Sequence, residues 1–343
     1  MPVYHYNAKR ALELTDANSF SSWSNISNSA TLADQKTFAD QRLQQQLFTP
    51  QFKPLFQFNH QESLFAIGSC FARGIEGKLQ KKGFHVESRP PELESLKLAQ
   101  KKDGQVKDFP DFWHITNQYN IPSILQTLRW ALDDDFTFPE KALVEEKSGL
   151  FRDPHMAYML ASLPFNEAVE RRRLVDSLNR RIRKCRVVVI TLGLIETWRD
   201  ELTKMHLCRA PGRHFMIRHP ERFTFHVLSY EENFQWLEET HSLLSNHCPQ
   251  DLEIVITVSP VPCLATFTDR DVVLANSFSK SMLRTAAESF AALHENVHYF
   301  PSYEIVMNSD PQIAWKADRR HVESIMVNHI TKIFTAHYCA EIE

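Results

Sequence analysis

Glycine is scarce: the chain has 8 in 343 residues, where average usage of about 7% would supply roughly 24. No G-x-G-x-x-G and no G-x-x-x-x-G-K-[ST] occurs, so a Gly-rich phosphate cradle is not expected. Paired cysteine spacing is missing too. The six cysteines, Cys70, Cys185, Cys208, Cys248, Cys263 and Cys339, form no C-x-x-C, which leaves a zinc ribbon or a dithiol redox pair without support. A disulfide framework is not expected in a chain this long. No run of 18 apolar residues exists, so no membrane-spanning helix is expected. Met1 to Asn28 carries no apolar stretch of the signal-peptide kind, and a reducing, cytoplasmic setting is the expectation. Charge of one sign is lacking as well. Lys and Arg number 39 against 42 Asp and Glu, for a net charge of -3, which gives no reason to expect nucleic acid as a partner. Neither a metal nor another cofactor is expected, and nothing in the sequence speaks to oligomeric state.

Apolar residues are plentiful at 43%, with 24 Phe, enough to bury a sizeable core. Residues 1 to about 58 read as an irregular arm without a core pattern, expected to wrap or extend from the main body. Order begins with Leu64-Phe65-Ala66-Ile67, a short continuous apolar run of the kind found in a parallel strand covered on both faces. Phe71, Ile75 and Leu79 then recur at helical spacing, and Gly83 stands where a helix would end. Further strands are expected at Phe84–Val86, around Val187–Ile190, at Leu252–Val258 and at Val297–Phe300. Helices are expected from Pro122 to Leu132, Phe165 to Cys185, Ser229 to His247, Asn276 to His294, and Val322 to His337 with Ile325, Ile330 and Ile333 inward. Insertions fall at about 90–115, 134–164 and 199–228. The basic run Glu170-Arg171-Arg172-Arg173 to Lys184 reads as a solvated helix face, with an anionic partner as the alternative. The alternation of strands and helices predicts an α/β protein with five parallel strands flanked by helices in three layers, in flavodoxin-like order.

Sites in such sheets gather beyond the carboxyl ends of the strands. At the first, Gly68 would turn the chain and present Ser69 at a helix N-terminus, where free N–H groups can stabilise an oxyanion. Ser69 is equally suited to be an ordinary N-cap. Cys70 beside it is a second candidate nucleophile. Near the C-terminus, Asp318 and His321 are three apart. The carboxylate can orient the imidazole, and the imidazole can take a serine proton. Thr191-Leu192-Gly193 ends the strongest strand, with Gly193 a candidate oxyanion donor and Glu196 and Trp198 expected to border the cleft. A side-chain amide in Asn117-Gln118-Tyr119-Asn120, Asn120 first among them, is another candidate donor, or an Asx turn ahead of Pro122. Lys280 closes an S-x-x-K spelling that lacks its companion motifs; contact with an anionic substrate is its alternative role. Gly68→Ala is expected to harm function more than folding.

Gly68-Ser69-Cys70-Phe71-Ala72 spells the signature of the GSCFA family, related to SGNH/GDSL-type hydrolases. The sequence also resembles that family at Thr191-Leu192-Gly193 with Glu196 and Trp198, at Thr257-Val258-Ser259-Pro260-Val261-Pro262, at Asn276-Ser277 with Lys280, and at Tyr299-Phe300-Pro301-Ser302-Tyr303-Glu304. The resemblance covers roughly residues 60 to 335. It implies an SGNH-type fold with Ser69 as nucleophile and Asp318 and His321 as the D-x-x-H pair. It further implies an esterase or acyl transferase acting on a small-molecule or glycan ester, or a binding protein that kept the scaffold. The chain departs from SGNH enzymes in lacking the G-x-N-D block: Thr191-Leu192-Gly193 stands there without the oxyanion Asn.

Overall fold

The computed structural model describes residues 4–25, 37–96, 115–156 and 160–340. Five strands form one sheet: β1 (Ser63–Gly68), β2 (His85–Val86), β3 (Val187–Leu192), β4 (Glu253–Val258) and β5 (Val297–Tyr299). Their order is β2-β1-β3-β4-β5, and every pairing is parallel. This is the flavodoxin-like arrangement, an α/β fold.

The continuous apolar runs follow from burial on both faces. Along β1, Phe65 and Ile67 join a core formed with the helices α2 (Ile121–Leu132), α4 (Tyr230–His247) and α5 (Val272–Leu293). Leu64 and Ala66 point the other way, into a core shared with α1 (Cys70–Lys81) and α6 (Ser324–Tyr338). The period of two in a strand thus feeds two cores from one segment. The remaining long helix, α3 (Phe165–Asn179), ends sooner than expected and passes into a 3₁₀ turn over Arg180–Lys184. The capping box of α4 is complete: the Ser229 hydroxyl accepts from the Glu232 N–H, and the Glu232 carboxylate accepts from the Ser229 N–H.

Several expectations are corrected. Ile325 is exposed, and Met326 takes the inward place beside Ile330 and Ile333. Arg171 and Arg172 of the basic run are buried, not solvated. Arg172 pairs with Asp153 at 2.6 Å and Asp176 at 3.3 Å, and its guanidinium lies 4.8 Å from the ring centroids of both Trp130 and Phe138. The arm does carry core residues, since Phe38, Phe48 and Phe58 are buried. Phe58 forms a parallel bridge with Cys339, and Phe52 stacks on His337 with centroids 4.2 Å apart. The expected insertion at 199–228 starts at Glu196, in a three-stranded antiparallel sheet of Glu196–Asp200, Met205–Leu207 and Phe223–Val227. Within 134–164 a hairpin pairs Val144–Lys147 with Leu150–Arg152; most of the insertion at 90–115 lies outside the described residues. None of the described helices is long and apolar enough to cross a membrane.

Candidate functional site

β1 ends at Gly68, whose φ of +133° is open to glycine alone among common residues. A Cβ there would stand 2.2 Å from the backbone oxygen of Thr191 and 2.5 Å from its hydroxyl. That close approach follows from register, because Gly68 is paired with Thr191 across β1 and β3. It lets the Thr191 hydroxyl accept from the Ser69 N–H at 2.8 Å and meet the Ser69 hydroxyl at 3.2 Å. Ser69 is the N-cap of α1, its Oγ accepting from the Phe71 N–H at 3.3 Å. The serine is only 2% exposed. Its own N–H, a candidate oxyanion donor, is therefore engaged by Thr191.

The D-x-x-H turn is a compact unit. The Asp318 carboxylate accepts from the backbone N–H of Arg320 and of His321, both at 3.0 Å, and faces His321 Nδ1 at 2.5 Å. The His321 backbone N–H first, then its imidazole and the Arg320 N–H, hold the Asp318 carboxyl well below the usual carboxylate range. His321 Nε2 meets Arg320 Nη1 at 3.1 Å. Arginine only donates, so Nε2 is the acceptor and Nδ1 carries the proton received by Asp318. That is the tautomer a general base requires. Arg319, between them, holds a left-handed φ of 55°. Ser69 and His321 share no hydrogen bond: the Ser69 hydroxyl is turned to Thr191 and Phe71, and His321 to Asp318 and Arg320. Arg320 nonetheless lies within electrostatic reach of Cys70, the residue after Ser69, and of Cys263 and Lys280.

The other candidates separate. Burial pushes the Cys70 thiol up, against the opposing pull of Arg320 and Lys280, so it is not an activated thiolate. Gly193 is a site of close approach: a Cβ would stand 2.7 Å from the Tyr119 carbonyl oxygen. Asn120 is not a free donor. Its Oδ1 caps α2 through the Ser123 N–H at 3.0 Å, and its Nδ2 donates to the Leu207 carbonyl at 2.8 Å. Lys280 is too buried to meet a substrate at the surface, at 1% exposed. It donates instead to the carbonyls of Gly193 and Val261, at 2.8 and 2.9 Å, tying the loops beyond β3 and β4 together. Burial brings its pKa down from 10.5 to about 7.

Glu196 accepts from the Thr266 hydroxyl at 2.6 Å and the Phe267 N–H at 3.3 Å. Trp198, two residues on, packs edge-on against the Phe267 ring with centroids 4.9 Å apart. Both hold the loop after β4. Glu196 borders a separate cavity of about 220 Å³ with Ile195, Val227, Ala275 and Phe278, of which Ser69 is no part.

Three residues at the Ser69 end stood inside the sequence motifs without a role of their own. Thr191 is one; its role depends on a strand pairing that no local pattern reveals. Asn117 is another. The Gln118 N–H donates to the Gly68 carbonyl at 2.8 Å, which brings this segment to the Gly68 corner, and Asn117 Nδ2 donates to the Tyr119 phenol at 2.9 Å. Burial raises the Tyr119 phenol well above its usual range, and Cys70 lies within its electrostatic reach. Arg320, a spacer in D-x-x-H, is the third. The sequence also spells H-E-x-x-H at His294-Glu295-Asn296-Val297-His298, a zinc pattern that works when one helix carries both imidazoles. Here His294 caps the end of α5 and His298 lies in β5. They bond to different carboxylates, Glu238 at 2.8 Å and Glu253 at 2.7 Å. No cluster of three or more potential ligands occurs among the described residues.

The sequence profile of the GSCFA family matches residues 63–334. Among curated proteins, none matches the chain in sequence. Solved structures similar to it include a family 3 carbohydrate esterase from Clostridium thermocellum, at 9% identity, TM-score 0.32, over 80% of this chain and 94% of that one. Another is LAE5, an alpha/beta hydrolase enzyme from the metagenome of Lake Arreo, Spain, at 10% identity, TM-score 0.30, over 82% and 96%.

Proposed function

The chain belongs to the GSCFA family, and from that premise we propose that it is an SGNH-like serine esterase or O-acyl transferase, acting in a cytoplasmic setting on an acylated substrate of the carbohydrate class. Ser69 attacks the ester carbonyl, His321 Nε2 takes the serine proton and returns it to the leaving alcohol, and Asp318 holds Nδ1–H. Water or an acceptor hydroxyl then resolves the acyl-enzyme. The observation that carries the reading is the Asp318–His321 pair in its base tautomer, on a turn whose Arg320 lies within electrostatic reach of Cys70, the first residue of α1. The helix N-terminus beyond Ser69 supplies partial positive charge for the oxyanion. The second N–H of the Asn117 amide, whose first is given to the Tyr119 phenol, takes the place of the missing oxyanion Asn, on a segment tied to the Gly68 carbonyl. A hydroxyl rotation frees Ser69 from Thr191, a 3.2 Å contact; catalytic hydrogen bonds in unliganded enzymes are often long and tighten only in the complex.

A binding protein on the same scaffold is the second reading, favoured by the burial of Ser69 and its lack of a bond to His321. A fluorophosphonate serine probe separates the two. The enzyme reading expects labelling at Ser69, none in Ser69→Ala, and labelling slowed by about 10³-fold in His321→Ala. Absence of labelling at Ser69 across pH and ester additives would leave the binding reading.

A further inference from the structure

The buried and half-buried arginines differ in their partners: Arg171 and Arg183 donate to the backbone carbonyls of Ala161 and Leu132. Arg73, Arg172, Arg222 and Arg284 each meet a carboxylate within 3.1 Å. The Arg320 guanidinium meets none among the described residues. Its one side-chain bond is to His321 Nε2, and its Nε is buried without a partner. The nearest carboxylate in sequence, Asp318, is already committed to His321 and to two backbone N–H groups. Glu196, an acid within electrostatic reach of Cys263, is hydrogen-bonded to Thr266 and Phe267. The other cation in reach, Lys280, has only carbonyl partners. The Ser69 end therefore holds a guanidinium that no carboxylate contacts, a planar fork of donors with one edge unused. Such a fork matches a carboxylate or phosphate through two parallel hydrogen bonds.

The same guanidinium occupies the nitrogen that must accept the serine proton. A base whose lone pair is already taken by a cation cannot deprotonate Ser69 until that donor leaves.

We propose that Arg320 caps the general base His321 in the unliganded protein and is drawn off it by an anionic oxygen group on the substrate, so that an acidic acyl ester both binds and uncaps the site. This rests on the serine-esterase reading above. Because Asp318 is rigidly held by the turn, His321 stays in place while Arg320 moves. The left-handed Arg319 fixes the backbone on which the two neighbouring side chains are set.

The experiment compares three matched acetyl esters: 4-acetoxybenzamide (neutral), 4-acetoxybenzoate (carboxylate) and 4-acetoxyphenyl phosphate. In the wild type, kcat/KM should favour an anionic ester over the neutral one by about tenfold or more. Arg320→Gln should collapse that ratio toward one, through loss on the anionic ester and a gain on the neutral one, whose base is no longer capped. Arg320→Lys should keep part of the preference, because it keeps the charge but not the fork. A merely structural arginine would slow all three esters alike. Equal loss on all esters, a wild-type ratio near one, or a ratio that survives in Arg320→Gln overturns the proposal while Ser69 still labels with the fluorophosphonate. If Ser69 does not label at all, the esterase reading falls and takes this inference with it. The benzoate and phosphate arms tell which anion the fork takes.

Discussion

At the scale of single residues, the corner of the site is made by what Gly68 permits. Its backbone conformation and the missing Cβ bring the Thr191 hydroxyl against both the N–H and the Oγ of Ser69. Gly68→Ala, expected from the sequence to harm function more than folding, must burden folding as well: a methyl 2.2 Å from a backbone oxygen must move a strand. Thermal unfolding should show a loss of about 3 kcal/mol or more for Gly68→Ala, and a Tm within a degree of wild type would contradict this. Gly83→Ala is the control. Its φ of +90° is also strained, but nothing lies within 4 Å of the added carbon, so about 1 kcal/mol is expected. The serine, the glycine before it and the Asp–His spacing were legible in the sequence because each is a local pattern. The particular roles of Thr191, Asn117 and Arg320, residues inside motifs that were read, were not. Their importance comes from register and from the absence of a counter-ion, and neither leaves a mark in adjacent residues.

At the scale of elements, the strands and helices could be read from apolar spacing, since burial on two faces leaves continuous runs and burial on one leaves a stripe. The failures came where an element buries charge. α3 looked like a solvated helix because its arginines are many; two of them instead enter the interior, and Arg172 is neutralised by Asp153 from an insertion. Partner choice between distant segments decided that outcome. Beside this pair, His155 is buried, with its backbone N–H donating to the Asp153 carboxylate and its ring edge-on to Trp130 at 5.2 Å. Burial lowers its pKa to about 4. The unfolded chain binds a proton at about 6.5, so the unfolded state holds more protons throughout that interval. Stability contributed here is present above about pH 6.5 and is lost as pH falls toward 4. At pH 5 the loss from this group is about 2 kcal/mol. Urea unfolding at pH 7 and pH 5 should show a smaller drop for His155→Gln than for wild type, and equal drops would refute the assignment.

At the scale of the whole molecule, the arm divides in two. The helix Ala8–Ala17 buries no residue, whereas the stretch ending at Phe58 is tied to the last helix and the core under it. Phe58→Ala should cost about 3–5 kcal/mol, while Leu12→Ala, at an exposed position, should stay within about 0.5 kcal/mol; chemical denaturation of the two variants checks the division. The β1 segment carries one more consequence, for how this chain can vary over time. Its alternate residues supply both cores, and its end sets the Gly68 turn. Substitutions of like size can be absorbed one by one. A single-codon insertion or deletion between 63 and 68 cannot, because it would exchange the contents of the two interiors and carry the serine off the corner in the same step. Length in this stretch is therefore the least negotiable property of the chain, and lineages descended from it should differ there in residue identity and not in residue count.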